Sequence, residues 1–252
     1  MRYFIKLSYR GTAYVGWQRQ PNGLSVQQCI EENLAKLLRL EVPVVGCGRT
    51  DAGVHASEYY AHFDWDGVTL ETNKILNHLN RMLPADIAID SLTIVPDTLH
   101  ARFSATKRTY HYYLNGQANP FQEGLVYHYY YFKQLDWPLM QQMADLLKKH
   151  KAFFPFCKTH SDVDHYLCEI SDAQWEGEGQ QMVFRISANR FLRGMVRLIV
   201  GMSLQVGMHK VPLDDVRLAL EQQKTLAKSL SAPAQGLFLT KIEYPELPTT
   251  GE

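Results

Sequence analysis

Residues 46–56 read Gly-Cys-Gly-Arg-Thr-Asp-Ala-Gly-Val-His-Ala. Helix-like apolar residues precede the stretch and a strand-like run follows, so it is a tight loop joining a helix to a strand. Glycine permits unusual backbone angles or the close approach of a ligand, and here Gly46, Gly48 and Gly53 crowd one aspartate, Asp51. An isolated Asp-x-Gly is ordinary turn chemistry. Arg49, two positions away, sets this one apart, because a nearby cation keeps a carboxylate ionised even when it is shielded from water. The stretch lacks the third glycine of a dinucleotide fingerprint, and no Gly-Lys-Ser/Thr follows as a P-loop requires. Asp51 and His55 together are two ligands, too few for a metal site.

Working outward, Arg2 to Tyr9 alternates apolar and polar residues and predicts a strand. Gly11 to Gly23 is a loop. Ser25-Val-Gln-Gln28 has the form of a capping box, and Val26, Ile30, Leu34, Leu37 and Leu38 make a helical stripe. A strand is expected through Glu58 to Phe63, a helix from Thr72 stopped by Pro84, and a strand over Ile87 to Val95. The second half repeats the rhythm. Thr106 to Leu114 and Gln181 to Ala188 read as strands, Asp136 to His150 as a helix with Asp136 as N-cap, and Phe191 to Val206 as an apolar helix weakened by Gly194 and Gly201. Pro212 to Gln222 is a short helix and Gly236 to Tyr244 a closing strand. The pattern predicts an α+β protein of two similar halves, 1–104 and 105–246, each an antiparallel-rich sheet with helices on one face, and a frayed tail at 247–252. A cleft between the halves is the natural place for a site.

The chain has 252 residues and no net charge, with 46% hydrophobic residues. That is enough for a sizeable core and rules out a disordered chain. No apolar run approaches the roughly 20 residues of a membrane span, and the N-terminus lacks the form of a signal peptide. Cys29, Cys47, Cys157 and Cys168 are scattered without a CxxC, which fits a reducing cytoplasm. Neutrality conceals an uneven charge distribution. Residues 1–30, 98–122 and 179–213 contain no Asp or Glu, although the 26 acids would place about three in a random thirty-residue stretch. Together these stretches hold Arg2, Lys6, Arg10, Arg19, Arg102, Lys107, Arg108, Arg185, Arg190, Arg193, Arg197 and Lys210. Brought together they would form a basic surface suited to a phosphate backbone. A preference of strands against acidic residues would give the same stretches without any such surface.

"GRTDAGVHA" resembles the signature loop of the TruA-type tRNA pseudouridine synthases, and the resemblance runs along nearly the whole chain. "YRGTAYVGWQRQ" resembles the opening segment of that family, "HARFSATKRTYHYYL" its second motif, "RFLRGMVRLIVGMSLQVG" its third and "APAQGLFLTKIEY" its closing strand. The resemblance implies the pseudouridine synthase fold. It implies isomerisation of uridine to pseudouridine in the anticodon stem-loop of tRNA, at positions 38–40, by a cytoplasmic homodimer that needs neither cofactor nor metal. By its place in the motif Asp51 would be the catalytic aspartate, acting as nucleophile at C1′ or as base on the 2′ proton.

Arg197 lies among Leu192, Met195, Val196, Ile199 and Val200. Arginine is costly to bury unpaired, so it is either a surface residue at the edge of the stripe or a paired cation. The resemblance favours pairing with Asp51. Arg49 would fill the stack that the flipped base leaves, or clamp a phosphate. Tyr110 and Tyr112 share one strand face, His111 and Tyr113 the other. Packing is the usual fate of strand tyrosines. The motif sets Tyr110 against the flipped uracil, where its face can stack and its hydroxyl can move a proton. Where the family often has a basic residue before this tyrosine, the chain has Thr109, which puts one backbone contact in doubt. Gln18, Arg19, Arg102, Lys107 and Arg108 read as RNA-backbone contacts, and His55 as a loop-bracing residue near the substrate.

Three readings compete with this one, besides a zinc site. Cys157-x-x-His160 and His165-x-x-Cys168 have zinc-like spacing, but only four residues separate the pairs, tighter than a structural finger. A polar loop followed by a strand with a buried cysteine is the expected form. A nucleoside or glycoside hydrolase built on Asp51 would want a second carboxylate close by, and neither Glu58 nor Asp64 suits. A non-catalytic RNA-binding module could use Arg49 and Tyr110 without Asp51. A chance loop in an unrelated protein does not account for five ordered matches.

Overall fold

The computed structural model describes residues 1–158, 164–226 and 230–245. In chain order its elements are β1 (Arg2–Tyr9), α1 (Val26–Leu38), β2 (Val45–Gly46), β3 (His55–Asp64), α2 (Thr72–Met82), β4 (Ile87–Val95), β5 (Lys107–Asn115), β6 (Tyr127–His128), α3 (Trp137–Leu147), β7 (Ile170–Glu178), β8 (Gln181–Ala188), α4 (Met195–Gly207), α5 (Leu213–Gln222) and β9 (Leu237–Glu243). Short 3-10 turns punctuate the loops. None of the described helices is long and apolar enough to cross a membrane. The chain divides into two compact units, one of residues 1–106 with 238–252, the other of residues 107–237.

In the first unit β1 is central. It pairs antiparallel with β4 on one side and β3 on the other, and β2 adds to β3. Tyr3, Ile5, Leu7 and Tyr9 alternate into the core as the sequence predicts. The Ser25 hydroxyl accepts the Gln28 N–H at the start of α1. Only half of the capping box forms, because the Gln28 side chain turns forward and donates to Glu32 rather than accepting the Ser25 N–H. Leu79 is the fully buried anchor of α2, which packs on β4. All of β9 but its first residue belongs to this unit. It lies parallel to β3, with Phe238 opposite His55 and Leu239 opposite Ala56, and the Glu58 carboxylate accepts the Ile242 N–H. The sequence reading assigned 105–246 to the second half, but strand pairing returns the chain to the first unit at Phe238.

In the second unit β8 is central, antiparallel to both β5 and β7. β7 is the strand expected after the 157–168 loop, and it starts two residues past the buried Cys168. Its register against β8 shifts between Ile170 and Asp172. The Asp136 carboxylate accepts the Leu139 N–H and caps α3 as expected. α3 ends at Leu147, a turn before His150. α4 starts at Met195, four residues after the expected Phe191, because Gly194 adopts a left-handed φ of 71° that ends any helix reaching it. Nearly all of α4 is buried, so the apolar run is core from Met195 onward, while Arg193 before it is exposed. Gly201 has a packing role there: a Cβ at that position would sit 1.8 Å from the Leu230 carbonyl oxygen.

Candidate active site

The loop after β2 is built around one aromatic cluster. Trp17 stacks on Tyr59 with ring centroids 4.1 Å apart, and Tyr9 meets Tyr59 edge-on at 5.5 Å. All three rings are buried. Gly46 lies against this cluster, where a Cβ would come within 2.3 Å of the Tyr59 hydroxyl and 2.4 Å of the Trp17 ring. From that seat the chain is tied at each step. The Cys47 N–H donates to the Tyr60 carbonyl at 2.8 Å, the Tyr59 hydroxyl donates to the Gly48 carbonyl, and the Tyr9 and Thr50 hydroxyls are 2.9 Å apart. The opening segment threads the same loop: the Trp17 N–H donates to the Thr50 carbonyl and the Gly53 N–H to the Tyr14 carbonyl. Gly16, at φ 107°, approaches so closely that a Cβ would lie 2.3 Å from the Thr50 oxygen.

The result is a rigid turn whose crest is Asp51. Its carbonyl accepts the Val54 N–H at 3.1 Å, and Gly53 takes φ 77° to close the turn. Thr50 and Val54 on either side are buried, Asp51 is half-buried, and Arg49 is exposed. Thus the backbone of the crest is held from below at a half-buried residue. That suits a carboxylate required to meet a substrate at a fixed position. His55 follows directly and is fully buried. Its Nδ1 accepts the Gly11 N–H at 3.0 Å, so the ring proton resides on Nε2. The ring stacks on Phe238 at 4.5 Å. His55 therefore braces the opening segment against β9, and its ring faces protein.

Gln18 and Arg19 leave the aromatic cluster toward solvent. The Arg19 guanidinium is 3.6 Å from Glu31, and an open depression of about 640 Å³ beside it is lined by Arg19, Gln20, Pro21, Gly23, Leu24 and Gln28. Arg102 belongs elsewhere in the same unit. The Ala101 N–H donates to His62 Nδ1, and His62 is seven residues beyond His55 on β3, about 23 Å at the rise of a strand. The first unit thus gathers Arg49, Asp51, Gln18 and His55 near the start of β3 and places Arg102 near its far end. His62 is kept neutral there, its pKa lowered to about 4, first by burial and then by the Arg2 charge and His100.

In the second unit Tyr110 is half-buried on β5, opposite Ile186 of β8, and meets the Phe191 ring edge-on at 5.2 Å. Tyr112 is fully buried and donates to the Pro233 carbonyl at 2.8 Å, which marks it as the packing tyrosine of the strand. His111 and Tyr113 contact each other on the other face. Thr109 is buried with its hydroxyl 2.8 Å from that of Ser187, so a long basic side chain would not fit as it stands. Arg108 donates to the Asn189 carbonyl at 2.9 Å, and Lys107 is half-buried beside it. Arg197 lies in the first turn of α4. Its Nε donates to the Ala232 carbonyl at 2.7 Å while its own carbonyl accepts the Ala232 N–H. It is half-buried among residues that are wholly buried.

His160 lies outside the described residues, so the zinc-like set is only partly placed. Burial pushes the Cys168 thiol up to about 11, and His165 hydrogen-bonds Arg190 at 3.0 Å. Among the described residues no group of three or more His, Cys, Asp or Glu side chains could hold a metal ion. What the sequence reading missed is the support of the loop. Trp17, Tyr59 and Tyr9 carry no chemistry of their own, and their only signal was the glycine at 46, whose missing side chain makes room for them.

The model of the tRNA pseudouridine synthase family matches residues 150–245. The tRNA pseudouridine synthase A of Bacteroides fragilis is 46% identical over 246 residues, covering 97% of each chain. That of Bacteroides thetaiotaomicron is 47% identical over 248 residues, 97% of this chain and 91% of the relative. The Dictyoglomus thermophilum protein of the same name is 37% identical over 243 residues, 95% of this chain and 98% of the relative. The chain belongs to the tRNA pseudouridine synthase A family, and pseudouridine synthases are isomerases.

Proposed function

We propose that this enzyme isomerises uridine to pseudouridine in the anticodon stem-loop of tRNA, at positions 38–40, with Asp51 as the catalytic carboxylate. The observation that carries the reading is the crest of the 46–56 loop, where Asp51 is half-buried on a turn locked by Tyr59, Tyr9, Gly16 and Gly53. Membership of the family supplies the reaction, and the loop supplies a carboxylate whose backbone cannot drift. The C1′–N1 bond of the target uridine breaks, the uracil turns, and C5 bonds to C1′. The hydrogen leaves C5 for solvent and N1 takes up a proton, so atoms balance without an oxidant or a second substrate. Asp51 serves either as the nucleophile that holds C1′ or as the base at the 2′ position.

On the motif alone, Arg197 is the counter-charge to Asp51 and Tyr110 the ring against the flipped uracil. The edge-on Phe191 contact fixes the plane that Tyr110 would offer to a base. Arg49, exposed beside Asp51, fills the vacated stack. Gln18, Arg19, Arg102, Lys107 and Arg108 hold the RNA backbone, and His55 braces the loop. The enzyme acts in the cytoplasm as a homodimer on tRNA, with no cofactor. The exposed Tyr130 and Tyr131, which meet edge-on at 5.1 Å, offer apolar surface to a second copy.

The test uses an unmodified tRNA transcript tritiated at uridine C5. The native enzyme should release tritium to water and leave pseudouridine in the anticodon arm, and Asp51→Asn should do neither. Release by Asp51→Asn at the native rate would remove Asp51 from the reaction. Free uracil among the products would replace isomerisation by hydrolysis.

A further inference from the structure

Phe103 is 76% exposed, and nothing in the core needs it. A large aromatic side chain directed into water on a rigid loop calls for a physical reason. The loop around it is held from several sides. Ala101 is fully buried, its N–H donating to His62 Nδ1 at 3.2 Å and its carbonyl accepting the Tyr244 hydroxyl at 2.6 Å. His100 Nδ1 then accepts both the Arg102 N–H, at 3.0 Å, and the Phe103 N–H, at 3.2 Å. Ser104 closes the turn by bonding His100 through its hydroxyl and its N–H. Arg2 anchors the approach to the loop, donating to the carbonyls of Asp97 and Leu99 while its guanidinium forks onto Asp64.

The two side chains presented by this scaffold differ in chemistry but act together. The Arg102 guanidinium carbon lies 5.5 Å from the Phe103 ring centroid, and the His100 ring adjoins Phe103 at 4.4 Å. A cation held over an exposed aromatic ring suits a nucleotide, with the phosphate toward the guanidinium and the base against the rest of the exposed ring. The segment carrying them, 98–122, has no acidic residue to repel a phosphate. The surface also lies on the order of 20 Å from Asp51, since its support His62 is near the opposite end of β3 from His55. The nucleotide at Asp51 cannot also reach Phe103.

We propose that Phe103, with Arg102, is a second RNA-binding point, which stacks on an unpaired base of the substrate away from the uridine being isomerised. The proposal rests on the reading of the enzyme as tRNA-modifying. It adds a residue that positions the substrate without taking part in bond exchange. RNA is the committed occupant, because the ring is paired with a cation on an acid-free segment.

The experiment compares native enzyme with Phe103→Ala and Phe103→Tyr. It measures Kd for unmodified tRNA at one fixed salt concentration, steady-state tritium release, thermal midpoint and solution mass. Phe103→Ala should weaken tRNA binding about tenfold, the scale of one lost base–aromatic stack. KM should rise in step while kcat falls by less than about twofold. Phe103→Tyr should restore both, and the thermal midpoint should stay within about 2 °C of native, since the ring buries little. Native affinity in Phe103→Ala would overturn the proposal. So would a fall in thermal midpoint that accounts for the lost affinity, or a change in solution mass at unchanged affinity, which would place a second copy on the ring. If the native enzyme itself releases no tritium, the proposed reaction fails. The affinity comparison still decides the role of Phe103.

Discussion

The Tyr59 hydroxyl donates to the carbonyl of Gly48, eleven residues earlier in the chain, and so ties the strand after the candidate catalytic loop to the start of that loop. The bond forms only because Gly46 leaves room for Tyr59 and Trp17 to stack behind it. Gly46→Ala should therefore displace both rings. We expect a loss of about 1–3 kcal/mol, the usual cost of overpacking, and a lower thermal midpoint. Gly48→Ala is the control, because a Cβ there meets nothing within 4 Å. Equal midpoints for the two variants would mean that the cluster does not hold the loop.

Arg197 has a structural bond and a proposed chemical role, and substitution can separate them. Its Nε holds the Ala232 carbonyl at 2.7 Å. Loss of a hydrogen bond from a charged donor costs about 1.5–3 kcal/mol, which leaves a folded protein. Arg197→Ala should accordingly stay folded by circular dichroism yet lose more than about 100-fold in turnover. Folded Arg197→Ala with normal tritium release would confine Arg197 to its contact with Ala232.

Arg49 is exposed beside Asp51, and two roles fit that position. Lysine can hold a phosphate as a point charge but cannot fill a base stack with a planar fork. Arg49→Lys should keep tRNA affinity within about threefold of native and lose at least about tenfold in single-turnover rate. Full activity in Arg49→Lys would make Arg49 a phosphate clamp.

Acid should loosen the support of the Arg102 loop. His62 titrates ordinarily at 6.5 but at about 4 in the folded chain, lowered by burial, Arg2 and His100, with Asp64 opposing. A depressed histidine contributes stability that is complete above pH 6.5 and is lost as pH falls toward 4. The loss across that window should be on the order of 3 kcal/mol. Asp64, which Arg2 holds below its usual value, loses its contribution at still lower pH. Urea unfolding at pH 7, 5.5 and 4.5 would measure the slope. His62→Asn keeps an acceptor for the Ala101 N–H but cannot charge, and should flatten it. An unchanged slope in His62→Asn would assign the acid sensitivity to other groups.

Legibility in the sequence followed the range of the interactions concerned. β4 and β8 match their expected bounds, although β4 pairs with β1 across a register shift and β8 ends in three consecutive buried residues. The Ser25 and Asp136 caps are visible because a cap involves residues three apart. α4 began late because the backbone angle of Gly194 cannot be read from its neighbours, and the bulge at the start of β7 shows only in its pairing with β8.

By itself the sequence determined the family, through five ordered motifs, and hence the reaction and the candidate residues Asp51, Arg197, Tyr110 and Arg49. It also determined the α+β class, because strand and helix periodicities are local. The tertiary structure alone decided what sits behind the loop. Trp17, Tyr59 and Tyr9 are far apart in sequence and meet only through the pairing of β1 with β3. The same pairing separated Arg102 from Asp51 along one strand, and gave His55 to the scaffold by burying its ring between Gly11 and Phe238. Residue types and spacing encode what chemistry a chain can offer. Which side chains face solvent, and which brace others, depends on contacts between segments distant in the chain.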